Sequence, residues 1–165
     1  MGPFDLLTEQ HRELEERFDA LEAEESASEA EERREQTEEL LALLRLHSSL
    51  EERYLYPLMA RVEGRARARE EAEDHLTMRE LMEELEDQSP GSPEWWACFT
   101  ALEDLIVAHV REEEAQTFPR LLTVLDEGEQ DELRRAFESL REELSAHAQV
   151  WPPANTAVSA PRWDV

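Results

Sequence analysis

Apolar residues recur at alternating spacings of three and four along most of this chain, while glycine and proline are confined to a few places. No other feature constrains the fold as much. That spacing lays one apolar stripe along an α-helix of 3.6 residues per turn, and the two-residue alternation of a half-buried strand is not seen. The expectation is an all-α protein. A first helix reads from about Asp5 to Glu24, with Leu7, His11, Leu14, Phe18 and Leu21 on one stripe. A second opens near SASEAE, where Ser28 and Glu31 form a capping box, and ends just after Pro57. Its stripe carries Leu40, Leu44, His47, Glu51, Tyr54 and Leu58. Gly64 separates it from a third, with His75, Met78, Met82 and Leu85 inward, which stops at QSPGSP. Ser92 and Pro93 suit the N-cap and first position of a fourth helix, with Phe99, Leu102, Ile106, His109, Glu113 and Gln116 inward. After Gly128 a shorter fifth helix runs toward His147.

Residues 1–149 therefore read as one helical domain, and the Pro-rich stretch 150–165, VWPPANTAVSAPRWDV, as an extended tail docked by its tryptophans. With 165 residues, 40% of them hydrophobic, the protein can bury a core without covalent staples. A single cysteine, Cys98, makes no internal disulfide, and acids stand where a secretory signal needs basic and then apolar residues. A cytoplasmic protein is expected, with no membrane-spanning segment. The 42 acidic residues outweigh 17 basic ones, all arginine, for a formal net charge of −25. Most of this charge reads as solvated helix faces, and it argues against direct contact with nucleic acid, whose phosphates it would repel.

Four long helices joined by short connections predict an up-down-up-down four-helix bundle, with the fifth helix outside it. In that topology, residues at one height on successive helices have a turn near the midpoint of their numbers. The midpoints are 29 for His11 and His47, 61 for His47 and His75, and 92 for His75 and His109, each at a predicted turn. Four histidines thus share a layer. His147 gives 128 with His109 by the same test, at Gly128, but sits on the outer helix and is read as no ligand.

Glu51 lies one turn past His47, and Glu113 one turn past His109. Both carboxylates point inward, and no arginine shares their stripes to compensate them. A lone histidine on an apolar stripe is more often packed core than ligand, and in so acidic a sequence the pattern H-x(3)-E arises by chance, as at His11 and Glu15. The longer pattern H-x(3)-E-E-x(3)-[YF]-P is less easily dismissed. It occurs twice at an offset of 62 residues, while His11 and His75 repeat at 64. Two tandem hairpins related by a pseudo-twofold would bring four imidazoles and two carboxylates together, the donor set of a two-metal centre. The adjacent Glu52 and Glu114 read as solvated groups or as hydrogen-bond partners of the ligands.

In this ordered set, His11, His47-x(3)-Glu51, His75, His109-x(3)-Glu113, with the YP and FP dipeptides that follow, the sequence resembles the hemerythrin-like HHE cation-binding domains over about residues 4 to 145. The segment PPAN is similar to a C-terminal extension of some bacterial members. The resemblance implies a non-haem di-iron centre, one iron held by His11 and His47, the other by His75 and His109, with Glu51 and Glu113 bridging and an oxo or hydroxo bridge. Iron is implied by the family; spacing speaks only of two metals. Oxygen-carrying hemerythrins place a second histidine where Arg79 stands here, and their last bridging residue is an Asp five after its histidine, where Glu113 stands here at four. Reversible oxygen carriage is put in doubt by both departures.

Several functions fit these residues. A small ligand such as dioxygen, peroxide or nitric oxide could be bound or sensed at an open metal position beside Leu44, Met78, Met82 and Ile106. An enzyme, for example one decomposing peroxide, needs a proton donor as well. Tyr54, seven residues after His47, is the candidate, as a donor, as a hydrogen-bond partner of a ligand, or as a ligand itself. Glu15 is read as an exposed acid able to pair with Arg79. An iron-binding regulatory domain, or an acidic interaction module without metal, are the further alternatives. No protein partner is identified.

Overall fold

The computed structural model describes residues 1–23 and 30–146, and its described residues are helical apart from short connections, with no strand. The first rod is α1 (Asp5–Ala23). The second joins α2 (Ala30–Leu50), a five-residue π-helical segment (Glu51–Leu55) and α3 (Tyr56–Glu63) without a break. Then follow α4 (Arg65–Asp87) and a fourth rod made of α5 (Pro93–Glu112), a second π-helical segment (Glu113–Thr117) and α6 (Phe118–Leu122). The last is α7 (Glu127–Ala146). None of these helices is long and apolar enough to cross a membrane.

Helix ends follow local chemistry. Ser92 accepts a hydrogen bond from the Trp95 amide at 3.1 Å, with Pro93 at the start of α5, as its sequence predicts. At α7 the expected boundary moves. Asp126 and Glu129 form a reciprocal capping box, each backbone amide donating to the other's carboxylate at 3.0 and 2.9 Å, so the helix starts before Gly128 rather than after it. The second rod also outruns its expected end at Pro57 and reaches Glu63, stopping at Gly64, whose φ of +101° suits glycine. Proline is tolerated because it falls in the first turn of α3, just after the π segment. Ser28 of the expected capping box, His147 and the tail 150–165 lie outside the described residues.

α1 packs on α2, α3 on α4, and α4 on α5, while α7 lies against α1, α2 and the first π segment. The core has two apolar halves. One contains Leu7 of α1, Leu50 and Met59 of the second rod, Ala68 of α4 and Leu121 of the fourth rod, closed over by Phe137 of α7. The other contains Leu14 and Phe18, Leu40 and Leu44, Met78 and Met82, and Phe99 and Ile106. On each of the four rods a histidine falls in sequence between its two sets of core residues. A buried polar layer thereby divides the core.

Candidate metal centre

The polar layer consists of His11 on α1, His47 on α2, His75 on α4, His109 on α5, and Glu51 and Glu113 at the starts of the two π segments, all buried. In each segment the backbone widens by one residue. The Tyr56 amide donates to the Glu51 carbonyl and the Phe118 amide to the Glu113 carbonyl, five residues back instead of four. Pro57 and Pro119 each stand six residues after the glutamate. A proline there lacks the N–H that a regular α register would pair with the carbonyl four residues back, so the regular register loses a bond and the wide turn competes better.

Glu51 divides its two oxygens between two histidine pairs. Its Oε1 is 2.7 Å from His47 Nε2 and 4.0 Å from His11 Nε2, and its Oε2 is 2.9 Å from His75 Nε2 and 3.2 Å from His109 Nε2. Glu113 spans the same gap, with Oε2 3.2 Å from His11 Nε2 and Oε1 3.3 Å from His109 Nε2. His75 Nε2 and His109 Nε2 lie 3.3 Å apart. Despite this proximity, His11 Nε2, His47 Nε2, Glu51 Oε1 and both Glu113 oxygens are fully buried without an aligned hydrogen bond. A short distance without alignment is what donors make when their lone pairs aim at a common point rather than at each other. Buried polar atoms left so need a compensating group, and a set of imidazole nitrogens and carboxylate oxygens suits a first-row transition metal.

The far side of each imidazole is occupied. His11 Nδ1 lies 2.9 Å from Glu114 Oε1, His47 Nδ1 2.9 Å from Gln10 Oε1, His75 Nδ1 3.3 Å from Glu52 Oε1, and His109 Nδ1 3.3 Å from Glu71 Oε2. An acceptor beside every Nδ1, hydrogen-bonded at His11, His47 and His75 and in ion-pair contact at His109, favours the proton on that nitrogen and an Nε2 lone pair facing inward, as a metal-binding histidine requires. The doubled glutamates are thus two layers of one arrangement. Glu51 and Glu113 face the centre, and Glu52 and Glu114 orient histidines from other helices.

Charge is tightly managed. Burial pushes the Glu51 carboxyl toward neutrality, yet the charge of His47, the hydrogen bond with His109 and the close approach of His75 hold it well below the usual carboxylate range. Burial opposes charge on His109 too, and Glu113, Glu51 and Glu71 overcome it, pushing the imidazole well above its ordinary value. His11 and His75 move upward for the same reason: burial lowers them, and Glu113 and Glu51 respectively more than offset it. Without metal, shared protons balance the buried carboxylates. A cation could replace them, releasing protons as it binds.

The sequence-predicted ligands His11, His47, Glu51 and Glu113 approach one another closely enough to share an ion, as do Glu51, His75 and His109. Tyr54 is not with them. The extra residue of the π turn rotates everything after Glu51, so Tyr54 packs edge-on against Phe137 of α7 at 5.7 Å, and the fully buried Tyr56 packs edge-on against His75 at 4.9 Å. The same rotation exposes Gln116 and turns Thr117 and Phe118 inward, with Phe118 stacked on His11 at 6.0 Å. Glu15 pairs with Arg12 at 3.7 Å, and Arg79 with Glu52 at 3.1 Å, so the anticipated Glu15–Arg79 pair is not formed. Met78 and Met82 are core residues. Gln10 and Glu71 were not singled out by the sequence pattern, and Tyr56 entered it with no role assigned. Tyr56 alone had a signal, the aromatic-proline pair that recurs as Phe118-Pro119.

A protein of Nostoc sp. (strain PCC 7120 / SAG 25.82 / UTEX 2576) described as a DNA nickase is 26% identical to this chain over 101 residues. The match takes in 61% of this chain but 29% of that protein, so the chain spans less than a third of its relative's length. No solved structure matches the chain significantly. The Hemerythrin HHE cation binding domain family matches residues 2–121, from before the first histidine to beyond the second π segment. Buried His and Glu donors converging across four helices are what that description asks of a fold, and this chain belongs to the Hemerythrin HHE cation binding domain family.

Proposed function

We propose that this domain is an up-down-up-down four-helix bundle holding two irons, and that it binds or reacts with a small oxygen or nitrogen species at the buried centre. The observation that carries the reading is the division of the two Glu51 oxygens between the His11/His47 pair and the His75/His109 pair. One ion cannot easily use both sides of a carboxylate that separates two sets of imidazoles, whereas two ions can share it. His11 and His47 would hold one iron, His75 and His109 the other, and Glu51 and Glu113 both. Bound iron supplies one-electron redox chemistry and a site for small ligands. The protein's own residues fix the imidazole tautomers, exclude water with the two apolar half-cores, and keep Tyr56 as a neutral phenol, its acidity suppressed by burial and then by the charges of Glu51 and Glu113.

A metal-free interaction module ranks below this reading, since Glu51 and Glu113 would have only imidazolium protons for compensation. The nicking activity in the description of the Nostoc relative is not carried over, because a chain of net charge −25 opposes a phosphate backbone.

Arg79 decides between carriage and reaction. Its side chain is nearly half exposed and engaged with Glu52, so it adds no ligand where oxygen carriers place a histidine. Dioxygen is expected to oxidise the reduced, iron-loaded protein without a lasting reversible adduct. The test is the absorption spectrum of the reduced protein on exposure to dioxygen and again under vacuum, with peroxide consumption measured in the same samples. An adduct that forms and is released under vacuum would restore carriage and remove the reactive reading.

A further inference from the structure

We propose that the two metal positions are unequal, the His75/His109 position filling first and holding its ion more tightly, and that Glu71 and Gln10 set the difference. This inference rests on the two-metal reading above. A carboxylate accepting the Nδ1–H of a metal-bound imidazole makes it a stronger donor than a neutral acceptor does, since partial negative charge is passed through the ring to Nε2. At the His75/His109 position both partners are carboxylates, Glu52 in a hydrogen bond with His75 Nδ1 and Glu71 in an ion-pair contact with His109 Nδ1 at 3.3 Å. At the His11/His47 position one is the carboxylate Glu114 and the other the amide oxygen of Gln10.

Glu52 and Glu114 match each other. Both are partly exposed, and each is also paired with an arginine, Arg79 at 3.1 Å and Arg12 at 2.7 Å. Their contributions to the two sides are similar and cancel in the comparison. Gln10 and Glu71 are both deeply buried, 4% and 2% exposed, so water screens neither. Glu71 does pair with Arg67, but Arg67 is divided among Glu70, Glu71 and Glu112 and reaches solvent, which leaves the buried carboxylate net anionic toward His109. The difference between the positions therefore comes down to one buried charge, present beside His109 and absent beside His47. The tandem repeat supplies equal ligands, and the unequal partners break its symmetry.

The test is an anaerobic titration of metal-free protein with cobalt(II), followed by visible absorption and calorimetry, on the full-length protein and two variants. Wild-type protein is expected to fill in two steps separated about tenfold or more in affinity, the lower end of the effect of an outer hydrogen-bond partner. Glu71→Gln should weaken the first step and bring the two together. Gln10→Glu, whose new carboxylate would orient His47, should strengthen the second step and also bring them together, so a misfolded Glu71→Gln would not leave the idea unchecked. Two equal, independent steps in wild type would overturn the asymmetry while leaving two metals standing, as would a Glu71→Gln that weakens only the second step. Saturation at one cobalt per protein molecule would instead overturn the two-metal reading, and this inference with it.

Discussion

Glu51 shows what a buried carboxylate demands of its surroundings. Taking it out of water is costly, and removing one partner of a buried charged pair typically destabilises by about 3–5 kcal/mol, so Glu51, the histidines around it and the cations proposed to bind there would depend on one another. Glu51→Ala is therefore expected to reduce occupancy at both metal positions, because its oxygens face both, whereas His11→Ala should mainly weaken the one it shares with His47. Metal content and affinity of the two variants measure this; equal loss of one metal in both would contradict the bridging role. The six inward residues were legible because helical periodicity places them on apolar stripes where charge is conspicuous. Gln10 and Glu71 were not. Gln10 adjoins His11 and reaches His47 on another helix, a contact that no spacing within one helix reveals, and Glu71 is one of 42 acids with nothing local to mark its burial.

The two π segments account for the element-scale differences between pattern and structure. A uniform 3.6-residue repeat, continued through Glu51, aims Tyr54 inward and ends the helix at Pro57. One added residue in the turn brings Tyr56 inward instead and lets the rod continue to Glu63. Helical periodicity assumes constant phase, so it locates the glutamates and misplaces Tyr54 and Gln116 just after them, while Leu58 further on is buried as expected. The recurrent proline is the sequence's sign of the phase change. If Pro57 and Pro119 favour the wide turns by denying the regular register a hydrogen bond, Pro57→Ala with Pro119→Ala should weaken metal affinity about tenfold or more, as loss of other ligand-positioning groups does, with helix content preserved. Metal titration beside circular dichroism checks it. Unchanged affinity would assign the turns to packing rather than to the prolines.

Over the whole molecule, acidic charge is the persistent tension, and it is sharpest where α1 meets α5. Burial pushes the Glu103 carboxyl up, and Glu22, Asp104 and Asp19 add to the shift, from 4.5 to about 7. A carboxyl whose folded value lies above its unfolded one makes the folded state the better proton binder between them, so stability falls as pH rises from about 4.5 through about 7. Glu103→Gln should accordingly raise the melting temperature at pH 8 and flatten its decline across that window; an unchanged pH profile would remove Glu103 as its source. The same acidity that strains the surface, concentrated in the centre with imidazoles, suits it to hold cations. The all-helical class and the histidine layer followed from periodicity and turn positions alone, since both depend on repeats along the sequence. The central claim is that Glu51 and Glu113 join two ions in one layer, and it is tested most directly by quantifying iron and other metals against protein concentration in purified, iron-loaded samples. The account predicts about two irons per protein molecule, with a fall in melting temperature when chelation removes them, because metal binding and folding are linked through the buried ligands. Saturation at a single ion, zinc or iron, with full thermal stability would contradict it.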